Sequence, residues 1–220
     1  MTLLGYRLPI SASLLVWAAL WEIVGRLDLV LLLPPLTHVL ARLGEIVPTE
    51  SFGEAMAITA RAYLAGSAIA IAVGVPVGVV MGRWPLADRL LLPWVNIFVS
   101  APLSALVPVI MALFGFGETT IVLTVVLFAV WIVILDARAG ARGISPSLVE
   151  MARSYGAGPW QAFSKVYLWA ALPEILAGIR LGSIRAVKGV IVGQLLISVV
   201  GFGHLFEIYS LKQELIYGLT

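Results

Sequence analysis

Long uncharged runs alternate with short polar breaks along this chain. The pattern predicts five spans, at about Leu8 to Val24, Tyr63 to Met81, Leu91 to Phe114, Thr119 to Leu135 and Pro173 to Val200. A bilayer crossing takes about 20 apolar residues, so each run is long enough or nearly so. Pro93, Pro102 and Pro108 interrupt the third run and predict bends in it. The fourth run is β-branched and almost uninterrupted. Between the first two, "PPLTHVLARLGEIV" sets Val39, Leu40, Leu43, Ile46 and Val47 at a helical period. This predicts a short helix on the membrane surface or against the spans. The expected fold is an all-α, polytopic transmembrane bundle forming a single domain over residues 1–220, with a long polar loop at about 136–168.

That loop, "GISPSLVEMARSYGAGPWQAFSKVYL", reads as two short helices around a glycine break. Ser145 is placed to cap the first, with Pro146 at its first position. Leu148, Val149, Ala152 and Tyr155 fall on one face. Gly156 stops the helix, because a left-handed residue costs least without a Cβ. Gly158-Pro159 starts a second helix, with Trp160, Phe163 and Tyr167 at helical spacing. Helices this short are marginal alone in water, so packing on the spans and on a partner must hold them. The residues alone leave two readings, a docking element or an ordinary interfacial connection.

Composition agrees with a lipid environment. The chain is 61% hydrophobic and 12% charged, with a mean hydropathy of +1.05, where soluble domains are nearer half apolar and a quarter charged. It has no cysteine, which excludes disulfides, iron–sulfur clusters and thiol nucleophiles. Its two histidines, His38 and His204, are far apart, and no metal site is expected. No basic run points to nucleic acid. No G-x-x-x-x-G-K-[ST] loop occurs, so a bound nucleotide has no phosphate cradle here.

Charge sets the expected orientation. Arg83 and Arg89 lie in one loop, and Arg138, Arg142, Arg153 and Lys165 in the long one, on the same side as Arg7. On the other side Arg26, Arg42 and Arg61 are mixed with Asp28, Glu45, Glu50 and Glu54. The basic side is read as cytoplasmic.

Inside the spans, Gly74, Gly78 and Gly82 recur every four residues around Pro76, which should permit a bend. Gly178, Gly182, Gly189 and Gly193 fall within about 60° of one another on a helical projection. Both rows read as close helix packing. Arg180 sits where its head can snorkel to the interface. Lys188 is about 12 Å further along, deep in the span. A lipid-facing cation there costs about 3 kcal/mol or more, so Lys188 should face protein or water. It is either half of a structural pair or, with Arg185, a positive point on the path of an anion. Gln194 is a polar candidate lining the same path.

Several stretches resemble one family. Glu150, Ala152 and Gly156 match E-A-A, three residues, Gly, the signature of permease subunits of binding-protein-dependent ABC importers. Met151 replaces the middle alanine, and Trp169 stands where the family's later proline is expected. "GVPVGVVMG" and "APLSALVPVIMALFGFGE" look like the nitrate/sulfonate/taurine branch. The resemblance implies a coupling helix, with Glu150, Met151, Ala152, Gly156 and Ala157 docking on an ATP-binding subunit. It implies no cofactor in this chain, with ATP and Mg in that partner subunit. It further implies a substrate-binding protein outside the cell membrane, a second permease copy and a small solute. The family's sixth span is expected after "GFGHLFEIYSLKQELIYGLT", where this chain stops. Two other functions stay in view. One is a membrane-embedded hydrolase using Ser100, Ser104 or Ser183 with Lys188, although no Ser–His pairing is visible. The other is a non-transporting scaffold.

Overall fold

The computed structural model describes residues 2–3, 6–7, 10–27, 29–30, 33–197 and 199–217. Leu8, Asp28 and residues 218–220 lie outside the described residues. The chain divides into two compact units, 1–53 and 54–220.

In the first unit, β1 (Thr2–Leu3) and β2 (Tyr6–Arg7) form a two-residue antiparallel ladder, which the sequence pattern does not announce. Helix α1 spans Ile10–Arg26. At 17 residues it is about 26 Å long, a little under the hydrocarbon thickness. It exposes Leu14, Leu15 and Trp17. The short helix expected from the apolar period is present as α2, Leu36–Ile46. Glu22 ties the two helices together. It accepts hydrogen bonds from the backbone N–H of Thr37 at 3.0 Å and its hydroxyl at 2.8 Å, and pairs with Arg26 at 2.6 Å.

The second unit is built on three long helices. Helix α3 runs Glu50–Arg83, with its residues from 54 onward in this unit, and carries Pro76 without interruption. Helix α6 covers Glu118–Arg142 and α9 covers Leu168–Ile197. Between α3 and α6 the third run breaks at Pro102 as expected and Pro108 opens the helix that follows, whereas Pro93 lies inside the helix that precedes without ending it. Helix α4 (Pro85–Ser100) ends before Pro102, a short 3₁₀ turn follows, and α5 covers Val107–Phe114. The two halves of this broken span meet at 98°. After α9, a bend leads into α10, Phe202–Tyr217. Among the described residues, α3 and α6 are long and apolar enough by length and composition to cross a membrane, and the number rises to four if each bent pair is one span.

Both glycine rows turn out to be contact rows, and α6 lies between them. On α3, an added Cβ at Gly66 would meet Val125 at 2.5 Å, at Gly74 it would meet Val133 at 2.8 Å, and at Gly82 Ala141 at 2.7 Å. The partner rises with the glycine, so α3 and α6 run parallel. On α9, Gly178 lies against Asp136, Gly182 against Val133 and Gly189 against Val125. Here the order reverses, and α9 is antiparallel to α6. Without a hydrophobic force between helices in lipid, close backbone approach is what makes such contacts worth forming. The core between them is Ile121, Val125, Ala129, Val130 and Ile134 of α6 with Ala62, Ala70, Ala186 and Val190. Gly74→Leu should therefore cost about 1–3 kcal/mol by overpacking, read as a lower thermal unfolding midpoint in detergent. Gly44→Leu is the control, since a Cβ there meets nothing within 4 Å.

Candidate functional site

Helix α6 continues through Arg142, so the polar loop expected from about 136 begins at Gly143. Its first helix, α7, is Pro146–Ser154. Ser145 occupies the N-cap position but its side chain caps nothing. Its hydroxyl bonds instead to that of Ser147 at 2.7 Å, and its carbonyl accepts from the Leu148 N–H at 3.1 Å. The far end closes as the sequence predicts. Gly156 has φ +75°. The Gly156 N–H donates to the Arg153 carbonyl at 2.9 Å, and the Ala157 N–H to the Ala152 carbonyl at 3.0 Å. This is the paired 5→2 and 6→1 pattern of a Schellman stop.

The apolar face expected of α7 is only partly buried. Ala152 is 6% exposed and packs inward, but Tyr155 is 86% exposed. Tyr155 keeps the helical bond from its N–H to the Met151 carbonyl at 3.1 Å, and Leu148 on the same face is exposed as well, so this face stays largely open. Glu150 and Met151 are exposed beside it, Gly156 is exposed, and Ala157 is half-buried. The five expected docking residues thus share one short segment, four of them wholly or partly open and Ala152 anchoring it.

The second helix is not a separate short piece. Helix α8 (Pro159–Ala162) passes through a π turn, Phe163–Tyr167, directly into α9. The Gly158 N–H donates to Gln161 Oε1 at 3.0 Å and fixes its start. Ala162 and Tyr167 are buried. The loop and the helix that packs along α6 are therefore one continuous helical run.

Two further contacts brace this end of the unit. Arg83, at the end of α3, donates from Nη2 to the Tyr167 hydroxyl at 3.0 Å, with its guanidinium 4.1 Å from that ring centroid. Asp88, in the first turn of α4, accepts from Arg138 Nε, from Arg138 Nη2 at 2.8 Å and from Arg142 Nη1 at 2.9 Å. Side-chain exposure is 13% for Asp88 and 17% for Arg138. The sequence marks Arg138 and Arg142 only as loop charges and passes over Asp88. Two arginines four residues apart share a helix face and are a local signal for a carboxylate partner.

The three expected path residues are not brought together. Lys188 is exposed on the side of α9 away from α6, among Ile184, Val187 and Ile191. Arg185 is half-buried. Gln194 is 3% exposed and donates from Nε2 to Thr59 Oγ1 at 2.8 Å. Six residues turn a helix by about 240°, so Lys188 and Gln194 point about 120° apart. Gln194 does border an apolar cavity of about 490 Å³ with Met56, Thr59, Tyr63, Val190 and Phe202. Ser183, a nucleophile in the hydrolase reading, donates its hydroxyl to the Ile179 carbonyl at 2.8 Å.

Residues 74–217 match the family model described as "Binding-protein-dependent transport system inner membrane component". The chain is 29% identical to the taurine transport system permease protein TauC of Escherichia coli (strain K12), over 93% of this chain and 79% of that one. It is 33% identical to SsuC of Bacillus subtilis (strain 168), a permease named for aliphatic sulfonates transport, over 85% and 68%. Against ProW of Escherichia coli (strain K12), the permease protein of a glycine betaine/proline betaine transport system, identity is 31% over 67% and 42%.

Proposed function

The chain belongs to the inner membrane components of binding-protein-dependent transport systems, multi-pass proteins of the cell membrane, and from that membership we propose that it forms half of the solute path of an ATP-driven importer. A homodimer completes the path. A substrate-binding protein delivers solute from outside, and two ATP-binding subunits, with their Mg and ATP, grip the loop from the cytoplasm. The observation that carries this reading is the Schellman-closed segment 150–157, open at Glu150, Met151 and Tyr155 and fixed to α9 through the π turn. A motor that binds one conformation more tightly shifts the populations of the two, and a loop continuous with a spanning helix is what such a difference would act through.

The second copy is supported by α9. Leu181, Ile184, Lys188, Ile191 and Leu195 are exposed at three- and four-residue spacing on its outer side. A lone cation in that stripe is costly against lipid, and a partner protein face removes the cost.

We take the solute to be a small anion such as a sulfonate. The names of TauC and SsuC favour it, but ProW at similar identity carries a betaine name, so family membership does not set the charge. The charge argument rests on Lys188 and Arg185. Lys188→Gln, at matched protein levels, should lower ATP-dependent uptake of sulfonate into vesicles and weaken the preference for anions. Unchanged uptake and unchanged selectivity would remove Lys188 from the path.

A further inference from the structure

At the basic end of the second unit, a cavity of about 570 Å³ opens between the end of α3 and the α7–α8 segment. Its lining includes Arg83, Trp84, Arg153, Trp160, Phe163 and Tyr167. The volume lies within the roughly 300–1,000 Å³ of small-molecule sites. Its chemistry is one-sided. Arg83 spends one N–H on the Tyr167 hydroxyl and stacks on the ring, which fixes the guanidinium and leaves its other donors open. Arg153 makes no hydrogen bond or ion pair with any described residue. Neither arginine meets a carboxylate among the described residues, although the nearby Arg138 and Arg142 both do.

The cavity also sits at a definite depth. Arg83 closes a 34-residue apolar helix, and Trp84 follows it at once. Trp84 is 55% exposed and Trp160 75%. Exposed indoles at the end of a spanning helix belong to the headgroup level of a bilayer. Two guanidiniums without a carboxylate partner among the described residues, lining a cavity with aromatic rings at that level, match a phosphodiester, which accepts from arginine more strongly than a neutral group does.

We propose that this cavity binds the phosphate headgroup of an anionic glycerophospholipid of the inner leaflet. The lipid would bridge the end of α3 to the loop through Arg83 and Arg153 and brace the segment that α9 continues. The proposal rests on the membrane location of the chain and on the basic end facing inward, not on what is transported.

The test is lipid retention by the purified chain in detergent, read by native mass spectrometry against phosphatidylglycerol, phosphatidylcholine and inorganic phosphate. Phosphatidylcholine carries the same phosphodiester together with a choline cation, which two arginines disfavour, and at about 1 kcal/mol per arginine the preference for phosphatidylglycerol is about thirtyfold. Arg153→Gln, which breaks no bond to a described residue, should cut that preference about fivefold. Arg83→Gln with Arg153→Gln should abolish it. Because Arg83 also holds Tyr167, unfolding midpoints are compared and Arg83→Lys serves as the milder variant. Arg89→Gln, on the same side but outside the cavity, should leave the preference intact. Equal retention of the two lipids would overturn the proposal, as would equal losses in Arg153→Gln and Arg89→Gln, which would mean a general surface-charge effect. Displacement of the lipid by millimolar inorganic phosphate would assign the site to a free anion instead. Displacement by the ATP-binding subunit would assign the arginines to that partner's carboxylates. Either result ends the lipid reading.

Discussion

Gly156→Val is expected to abolish recovery of the ATP-binding subunit on affinity capture while the chain still inserts in the membrane. The residue sits at φ +75°, where a β-branched side chain is strained by about 1–2 kcal/mol. The strain falls on a motif with few reserves. Helix α7 has only nine residues, and its end is closed by the two bonds from Gly156 and Ala157. Losing the left-handed turn frees the Ala152 and Arg153 carbonyls and lets Met151 and Tyr155 leave their positions. No spanning helix passes through this segment, so insertion is untouched. Deleting residues 150–158 should have the same effect on capture. Normal recovery of the ATP-binding subunit by either variant would mean that it docks elsewhere.

Asp88→Asn is expected to give the largest loss of stability. The carboxylate serves three guanidinium N–H donors from Arg138 and Arg142 in a site where its own exposure is 13%. An amide of the same shape keeps one acceptor and brings two donors of its own to face cations. Hydrogen bonds to charged groups contribute about 1.5–3 kcal/mol, and a change of that size should be visible as a lower unfolding midpoint in detergent. Arg138→Gln should match it. Arg142 is 65% exposed, and Arg142→Gln should cost under about 1 kcal/mol. Equal midpoints for Asp88→Asn and the parent chain would show that the cluster does not hold α4 to α6.

What could be read from the sequence was whatever leaves a local pattern. Apolar runs located α1, α3, α6 and α9, and Pro102 and Pro108 located the broken span, while Pro93 sits within α4. The rows Gly74–Gly78–Gly82 and Gly178–Gly182–Gly189 announced close contact because only small residues at helical spacing allow it, although not that α6 receives both. Gly156 stopped α7 at the predicted residue. Tyr155 continues the helical bonding of α7, but periodicity says only which residues share a face, not that the face is packed, and this one is left open at Leu148 and Tyr155. The second loop helix was drawn too short, since nothing in the run from Phe163 to Tyr167 signals a π turn rather than a break.

Pairings across long separations were out of reach. Asp88 and Arg138 are 50 residues apart, and Gln194 and Thr59 are 135 apart. Neither pair leaves a periodic trace. Lys188 and Gln194 were grouped by their depth along α9, but depth does not fix direction around a helix.

Because the chain has no cysteine, Tyr155→Cys introduces a unique thiol at a highly exposed point of the loop. Labelling it with a membrane-impermeant maleimide in oriented vesicles, with and without the ATP-binding subunit, tests the account most directly. The thiol should react only when the cytoplasmic face is outward, and the subunit should protect it. Reaction from the opposite face, or equal labelling whether or not the subunit is bound, would contradict the account.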